Sequence, residues 1–122
     1  MDAKDALSGL MTAIDEHRWD DLAAFLHPEF TCRLVHTGEE FGRDAWVAFN
    51  ADYPGFDRLI VEDLVGSDEA AAARSLVLGD ADAGPQRFAC ASFAHLRDGL
   101  IVELVEVWTD LDQEAPEGTR GA

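Results

Sequence analysis

The sequence predicts an α+β fold: a cone-shaped roll, with three N-terminal helices packed in a curved, mostly antiparallel β-sheet. Three observations lead there. Apolar residues recur at helical spacing through most of the first 53 residues, interrupted by one strand-like stretch. From residue 57 to residue 110 the pattern becomes that of extended strands separated by turn residues. Those later turns are short, and short turns join antiparallel neighbours, because parallel strands need long crossovers. Helices first and a meander last is the α+β layout, with helices on one face of the sheet.

Each element has its own signal. Leu7, Leu10, Met11 and Ile14 fall at i, i+3, i+4 and i+7, one apolar stripe on a helix over residues 5–16. Asp20 is a candidate N-cap for a second helix carrying Leu22, Phe25 and Leu26, which Pro28 should stop. "FTCRLVHT" (30–37) then alternates as a strand, and Gly38 and Gly42 bracket a turn. "RDAWVAFNADYPG" reads as a third helix with Trp46, Phe49, Asn50 and Tyr53 on one face, ended by Pro54-Gly55. "DRLIVEDLV", "AAAARSLVLG", "RFACASFAHL" and "IVELVEVWTD" read as four strands. Arg97-Asp98-Gly99 is a tight-hairpin signal between the last two. Residues 5–111 are thus expected to form a single domain, and 112–122 a loose C-terminal tail.

Composition narrows the functional classes. Nine Lys and Arg stand against 25 Asp and Glu, a net charge of −16, which disfavours nucleic acid and anionic membrane surfaces as partners. No apolar run approaches the ~20 residues that span a bilayer, and the first residues lack a secretory pattern, so the expected compartment is the cytoplasm. Cys32 and Cys90 are expected to be free thiols, in no zinc spacing, and no metal or cofactor is expected.

A sheet that curls around helices without closing leaves a pocket at its wide end. Alternation sends Phe30, Cys32, Leu34 and His36 to one face of the first long strand, the more apolar one. It groups Phe88, Cys90 and Ser92 likewise. Two strands are apolar on both faces. One sets Val102, Leu104, Glu106, Trp108 and Asp110 against Ile101, Glu103, Val105 and Val107; the other sets Leu59, Val61 and Asp63 against Arg58, Ile60 and Glu62. Double-sided burial is what a homodimer through the outer face of the sheet would produce. The expected pocket residues are Cys32, Leu34, Trp46, Tyr53, Asp63, Cys90, Ser92 and Trp108.

The stretch "HRWDDLAAFLHPEFTCRLVHTG" and the hairpin "RDGLIVELVEVWTD" resemble the nuclear transport factor 2-like superfamily, nearest to its SnoaL-like branch, over roughly residues 5–111. The resemblance implies the cone fold, but the superfamily spans isomerases, dehydratases, cyclases, epoxide hydrolases and non-catalytic binders. The ketosteroid isomerase branch has a carboxylate base in its first strand, a tyrosine in its first helix and an acid in its fourth strand. "FTCRLVHT", the first helix and "RFACASFAHL" carry none of these. The polyketide cyclase branch has a catalytic carboxylate in its last strand, and "IVELVE" puts Glu106 near that place. The epoxide hydrolase branch uses an Asp-Arg-Asp set, which Arg74 with Asp63 or Asp110 would have to imitate.

A carboxylate in an apolar pocket has a raised pKa and becomes a usable acid or base near neutrality. Glu106 and His36 are therefore the candidate catalytic pair, with Tyr53 and Ser92 orienting a polar substituent. His36 has a second reading, as a strand-end ring bonded to backbone near Gly38. The expected function is binding of a small, largely apolar organic ligand, with cofactor-independent cyclase, isomerase or dehydratase chemistry by proton transfer in secondary metabolism. The alternative is a non-catalytic ligand-binding or dimerisation protein of the same fold.

Overall fold

Leu7, Leu10, Met11 and Ile14 are all buried on one side of helix α1 (Ala3–Asp15), whose first turn is capped by the Asp2 carboxylate accepting from the Asp5 N–H at 2.8 Å. This computed structural model describes residues 1–82 and 84–120. Ala83, between the expected strands "AAAARSLVLG" and "RFACASFAHL", and residues 121–122 of the expected tail lie outside the described residues. After α1 come a 3-10 helix (Trp19–Phe25), strands β1 (Leu26–Leu34) and β2 (Glu40–Gly42), and helix α2 (Arg43–Ala51). Strands β3 (Phe56–Gly66), β4 (Ala70–Ala81), β5 (Gly84–Arg97) and β6 (Leu100–Asp110) complete the chain order.

The strands form one six-stranded sheet in the order β2-β1-β6-β5-β4-β3, open at both edges. The α+β expectation holds, and every pairing is antiparallel except β1 with β6, which is parallel. This closing contact sets Leu34 opposite Glu106 and makes β6 a central strand.

Helix α1 is fastened to the far edge of the sheet at both ends. The Ala3 N–H donates to the Asp68 carbonyl at 3.0 Å, and Arg58 grips the Asp15 carboxylate at 2.7 and 3.1 Å. Asp15 also accepts from the Leu59 N–H at 2.9 Å, and the Arg58 guanidinium holds its carboxyl below the usual carboxylate range. Trp46, on α2, is buried against Phe30 of β1 with ring centroids 5.3 Å apart.

Two expectations about elements need correction. The second helix is a single run of 3-10 turns, and β1 begins at Leu26, ahead of Pro28. Seven residues are too few to propagate an α-helix without a stabilising stripe, and Pro28, lacking an N–H, sits where the β1–β6 register shifts between Leu26 and Thr31. The strand that includes "CRLVHT" ends at Leu34, because the chain turns back there: the Gly38 N–H donates to the Leu34 carbonyl at 2.8 Å and the Leu34 N–H to the Glu39 carbonyl at 2.9 Å. His36 is therefore a turn residue. At the junction with the expected tail, the Leu111 N–H donates to the Arg87 carbonyl at 3.0 Å and Arg87 pairs with Asp112 at 3.0 Å.

Gly55 joins α2 to β3 with φ +78°, and a Cβ there would lie 2.2 Å from the Asp80 carbonyl oxygen. Gly38 has the same φ of +78° with nothing within 4 Å of a Cβ. Gly55→Ala should thus combine left-handed strain with a backbone clash and cost at least about 2 kcal/mol, while Gly38→Ala should cost about 1 kcal/mol. Denaturant titration of the two variants checks this; equal losses would refute the close approach.

Candidate functional site

The ends of several elements leave a cavity of about 470 Å³ between the helices and the sheet. This is within the size range of small-molecule sites. It lies beside the C-terminal ends of α1 and α2, where β3 and β5 begin and β1, β4 and β6 end. Its walls are largely aromatic and aliphatic: Trp19, Phe49, Phe56, Leu59, Val77, Phe88 and Trp108 all line it.

Glu106 lies at its inner end. Its side chain is on the Leu104–Glu106–Trp108 face of β6, which resolves the two-faced pattern of that strand. A register shift between His95 and Leu96 lets Ile101 and Leu104 both point inward, so both faces look apolar in sequence. Glu106 is only 6% exposed. Its Oε2 accepts from Ser92 Oγ at 3.1 Å and Cys90 Sγ at 3.4 Å, and its Oε1 lies 3.8 Å from Cys32 Sγ. The buried Trp46 indole N–H also stands near this carboxyl, without a hydrogen bond of ordinary geometry.

Burial pushes the Glu106 pKa above the usual glutamate value, and the donors from Cys90, Ser92, Trp46 and Cys32 offset this only in part. The carboxyl is held toward its neutral form, in which it can both donate and accept a hydrogen bond. The two thiols respond alike. Burial first, and the Glu106 charge second, push both upward, so they serve as protonated donors and not as nucleophiles.

The expected pocket residues divide into three groups. Leu34, Tyr53 and Trp108 line the cavity together with His36 and Glu106. Cys32, Trp46, Cys90 and Ser92 are buried behind it, where they surround the Glu106 carboxyl and do not face a ligand. Asp63 belongs to neither. A β-bulge between Val61 and Asp63 inverts the alternation, so Leu64 turns toward Ala73 and Asp63 lies exposed opposite Arg74. Arg74 itself pairs with Glu62 at 2.8 Å, and neither Arg74 nor Asp63 lines the cavity, so an epoxide hydrolase-like Asp-Arg-Asp set is not assembled.

His36 and Glu106 border the same cavity but occupy different depths. His36 is exposed in its turn at the rim, and the hydrogen-bond partners of Glu106 are Ser92 and the two thiols. Several lining groups had no distinct sequence signal. Asn50 borders the cavity while its amide donates to the Trp46 carbonyl at 2.9 Å. Gln86 and Gln113 lie in segments that read as turn and tail, where polar residues are ordinary. Asp110 had a usable signal, since it shares the strand face of Glu106 and Trp108. Among the described residues, no three His, Cys, Asp or Glu side chains converge in a way that could hold a metal ion, and no helix is long and apolar enough to cross a membrane.

The comparisons agree with this architecture. A ketosteroid isomerase-like protein from Kribbella flavida, provisionally assigned as such an isomerase, superposes with TM-score 0.82 at 23% identity, over 98% of this chain and 87% of that one. IdmH of Streptomyces antibioticus, provisionally assigned as a polyketide cyclase, gives TM-score 0.72 at 21% identity over 85% and 89% of the two chains. An LEH-like epoxide hydrolase from Mycobacterium tuberculosis gives 0.73 at 13% identity over 87% and 81%. At these identities the likeness is one of fold. No curated protein matches the sequence. The SnoaL-like domain model matches residues 7–104, most of the length that builds the sheet and its cavity, and the chain belongs to the SnoaL-like domain family.

Proposed function

We propose that residues 5–111 act as one ligand-binding domain that takes a small, largely apolar organic molecule and moves a proton on it with Glu106. The observation that carries this reading is a carboxyl buried in the sheet, held toward its neutral form, and bordering a cavity of small-molecule size. Ser92 and Cys90 both donate to Oε2, at 3.1 and 3.4 Å, whereas Oε1 has only the Cys32 thiol at 3.8 Å, so Oε1 is the less engaged oxygen and the one that bears the proton. Glu106 then gives that proton to a ligand oxygen as general acid. The resulting carboxylate, still bonded by Ser92 and Cys90, takes one back from carbon as general base. His36, at the rim, is a further titratable group bordering the cavity, and the Tyr53 hydroxyl is placed to orient a polar substituent. This is cofactor-independent cyclase, isomerase or dehydratase chemistry, of the sort used in secondary metabolism. The free, buried thiols suit a reducing compartment such as the cytoplasm.

The outer face of the sheet supports a homodimer. Register places Val65, Ala72, Phe93 and Val105 in one row, and Val65, Phe93 and Val107 are 59%, 44% and 42% exposed. Both helices pack on the opposite face, so this apolar surface is uncovered in a single chain.

Three outcomes follow. A molecule that co-purifies from producing cells, re-added to apo protein, should be converted by the wild type at least about 100-fold faster than by Glu106→Gln, with binding retained. Equal rates would leave the non-catalytic binding reading standing. Unchanged turnover and binding in His36→Ala would remove His36 from the site.

The second outcome concerns stability. Folded Glu106 binds its proton more tightly than unfolded Glu106, whose pKa is about 4.3. Between that value and the raised one the folded state carries the extra proton, so wild-type stability falls as pH rises through the window and levels off above it. The melting temperature of Glu106→Gln minus that of the wild type should therefore grow as pH rises above the unfolded value of about 4.3, and level off once pH passes the raised folded value. A constant difference would contradict the buried carboxyl. Third, light scattering should give twice the chain mass for the wild type and the single chain mass for Phe93→Glu; a monomeric wild type would end the dimer proposal.

A further inference from the structure

Two carboxylates border the cavity, and they face opposite conditions. Glu106 is buried at the inner end, whereas Asp110, two alternations along the same strand face, is exposed at the rim. Trp108 lies between them on that face. Phe88, directly across from Asp110 in the β5–β6 register, meets Trp108 edge-on, with ring centroids 6.3 Å apart and planes at 72°. Asp110 thus stands beside two aromatic rings set nearly at right angles, and its carboxylate is in no ion pair among the described residues. The arginine of its neighbourhood, Arg87, is turned to Asp112 at 3.0 Å and does not line the cavity. Among the described residues, no lysine or arginine lines it.

These features favour one sign of charge. Aromatic faces attract cations, with quaternary and protonated amines the best fit to a ring-lined corner. An unpaired carboxylate adds a Coulomb term there. The net charge of −16 raises the local concentration of cations around the whole molecule. An anionic ligand would meet all three as penalties, with no fixed positive charge in the lining to offset them.

We propose that the ligand is an organic cation: an apolar body with a quaternary or protonated amine, whose charged end lodges at the rim between Phe88, Trp108 and the Asp110 carboxylate. This rests on the cavity being a ligand site, and it names the class of molecule. The amine end is held at the rim, and the apolar body extends inward toward Glu106, so the charge is kept apart from the group that moves the proton. Binding energy from the remote amine would then position the reacting end.

Calorimetric titration with benzyltrimethylammonium and its uncharged isostere neopentylbenzene tests this. The cation should bind about tenfold more tightly than the isostere. Asp110→Asn should weaken the cation several-fold and leave neopentylbenzene unchanged. Asp98→Asn removes the same charge at the far end of β6, at a left-handed position (φ 55°) that asparagine tolerates, and should change neither probe. Equal or tighter binding of neopentylbenzene, with the cavity still occupied, would overturn the cation inference and leave the apolar-ligand reading intact. Equal weakening of the cation by Asp110→Asn and Asp98→Asn would reduce the preference to net charge and overturn the rim site. Binding of neither probe would overturn the cavity reading and this inference with it.

Discussion

The structure depends on keeping one carboxyl group in the middle of a β-sheet. Glu106 lies on a central strand, with Leu34 opposite on one side and Ser92 on the other. A carboxyl removed from water there is unfavourable unless it is hydrogen-bonded or protonated. The fold does both in part, and it uses small side chains. Ser92, Cys90 and Cys32 can approach from neighbouring strands because none fills the space that the carboxyl needs. The same contacts select the sheet register. A slip of one residue would turn Glu106 to the outer face and Val105 or Val107 inward, leaving three buried donors unpartnered.

The cavity follows from how the helices are attached. Helix α1 is tied to the sheet at Ala3 and Asp15, and Ile14 in its last turn borders the cavity. His17 takes a left-handed conformation just after it, with φ 57°, and the ring stacks on Phe56 with centroids 5.0 Å apart. His17 Nε2 also lies 2.7 Å from the Asp57 carbonyl oxygen. The chain is thereby turned sharply into the 3-10 helix, where Trp19 becomes a wall of the cavity. On the other side, Phe41, Phe49 and Tyr53 form a chain of ring contacts at 4.8 and 5.6 Å. Well-packed rings on both sides keep the space open without placing a charged side chain across it.

Much of this was legible in the sequence, because hydrophobic period is a local signal. The α1 stripe and the four later strands come from spacing alone, whereas spacing left Glu103 and Glu106 of β6 as equals and the resemblance to the polyketide cyclase branch pointed to Glu106. What escaped was set by interactions between distant segments. His36 alternates properly with Leu34, yet the strand stops because Leu34 has a better partner in Glu39. Asp63 alternates properly with Leu59, yet a bulge of a single residue reverses every side chain beyond it. Trp46, Cys32, Cys90 and Ser92 were rightly placed as inward groups, but spacing does not tell a cavity wall from the layer behind it. That distinction depends on which neighbour occupies the intervening space, and here the occupant is the Glu106 carboxyl.

Glu106 and Asp110 show how one strand can carry two acids of different chemistry. They share a face, are separated by Trp108, and differ chiefly in access to water. Desolvation stabilises the neutral form of the first, while the second is exposed to water at the rim. The strand therefore presents a proton-bearing group at the inner end of the cavity and a charged one at its mouth. A molecule long enough to touch both meets a polarity gradient built into the backbone alternation, and it is oriented before any chemistry begins. Orientation by such a gradient needs no movement of the sheet, and that suits a site whose deepest polar group also holds three strands in register.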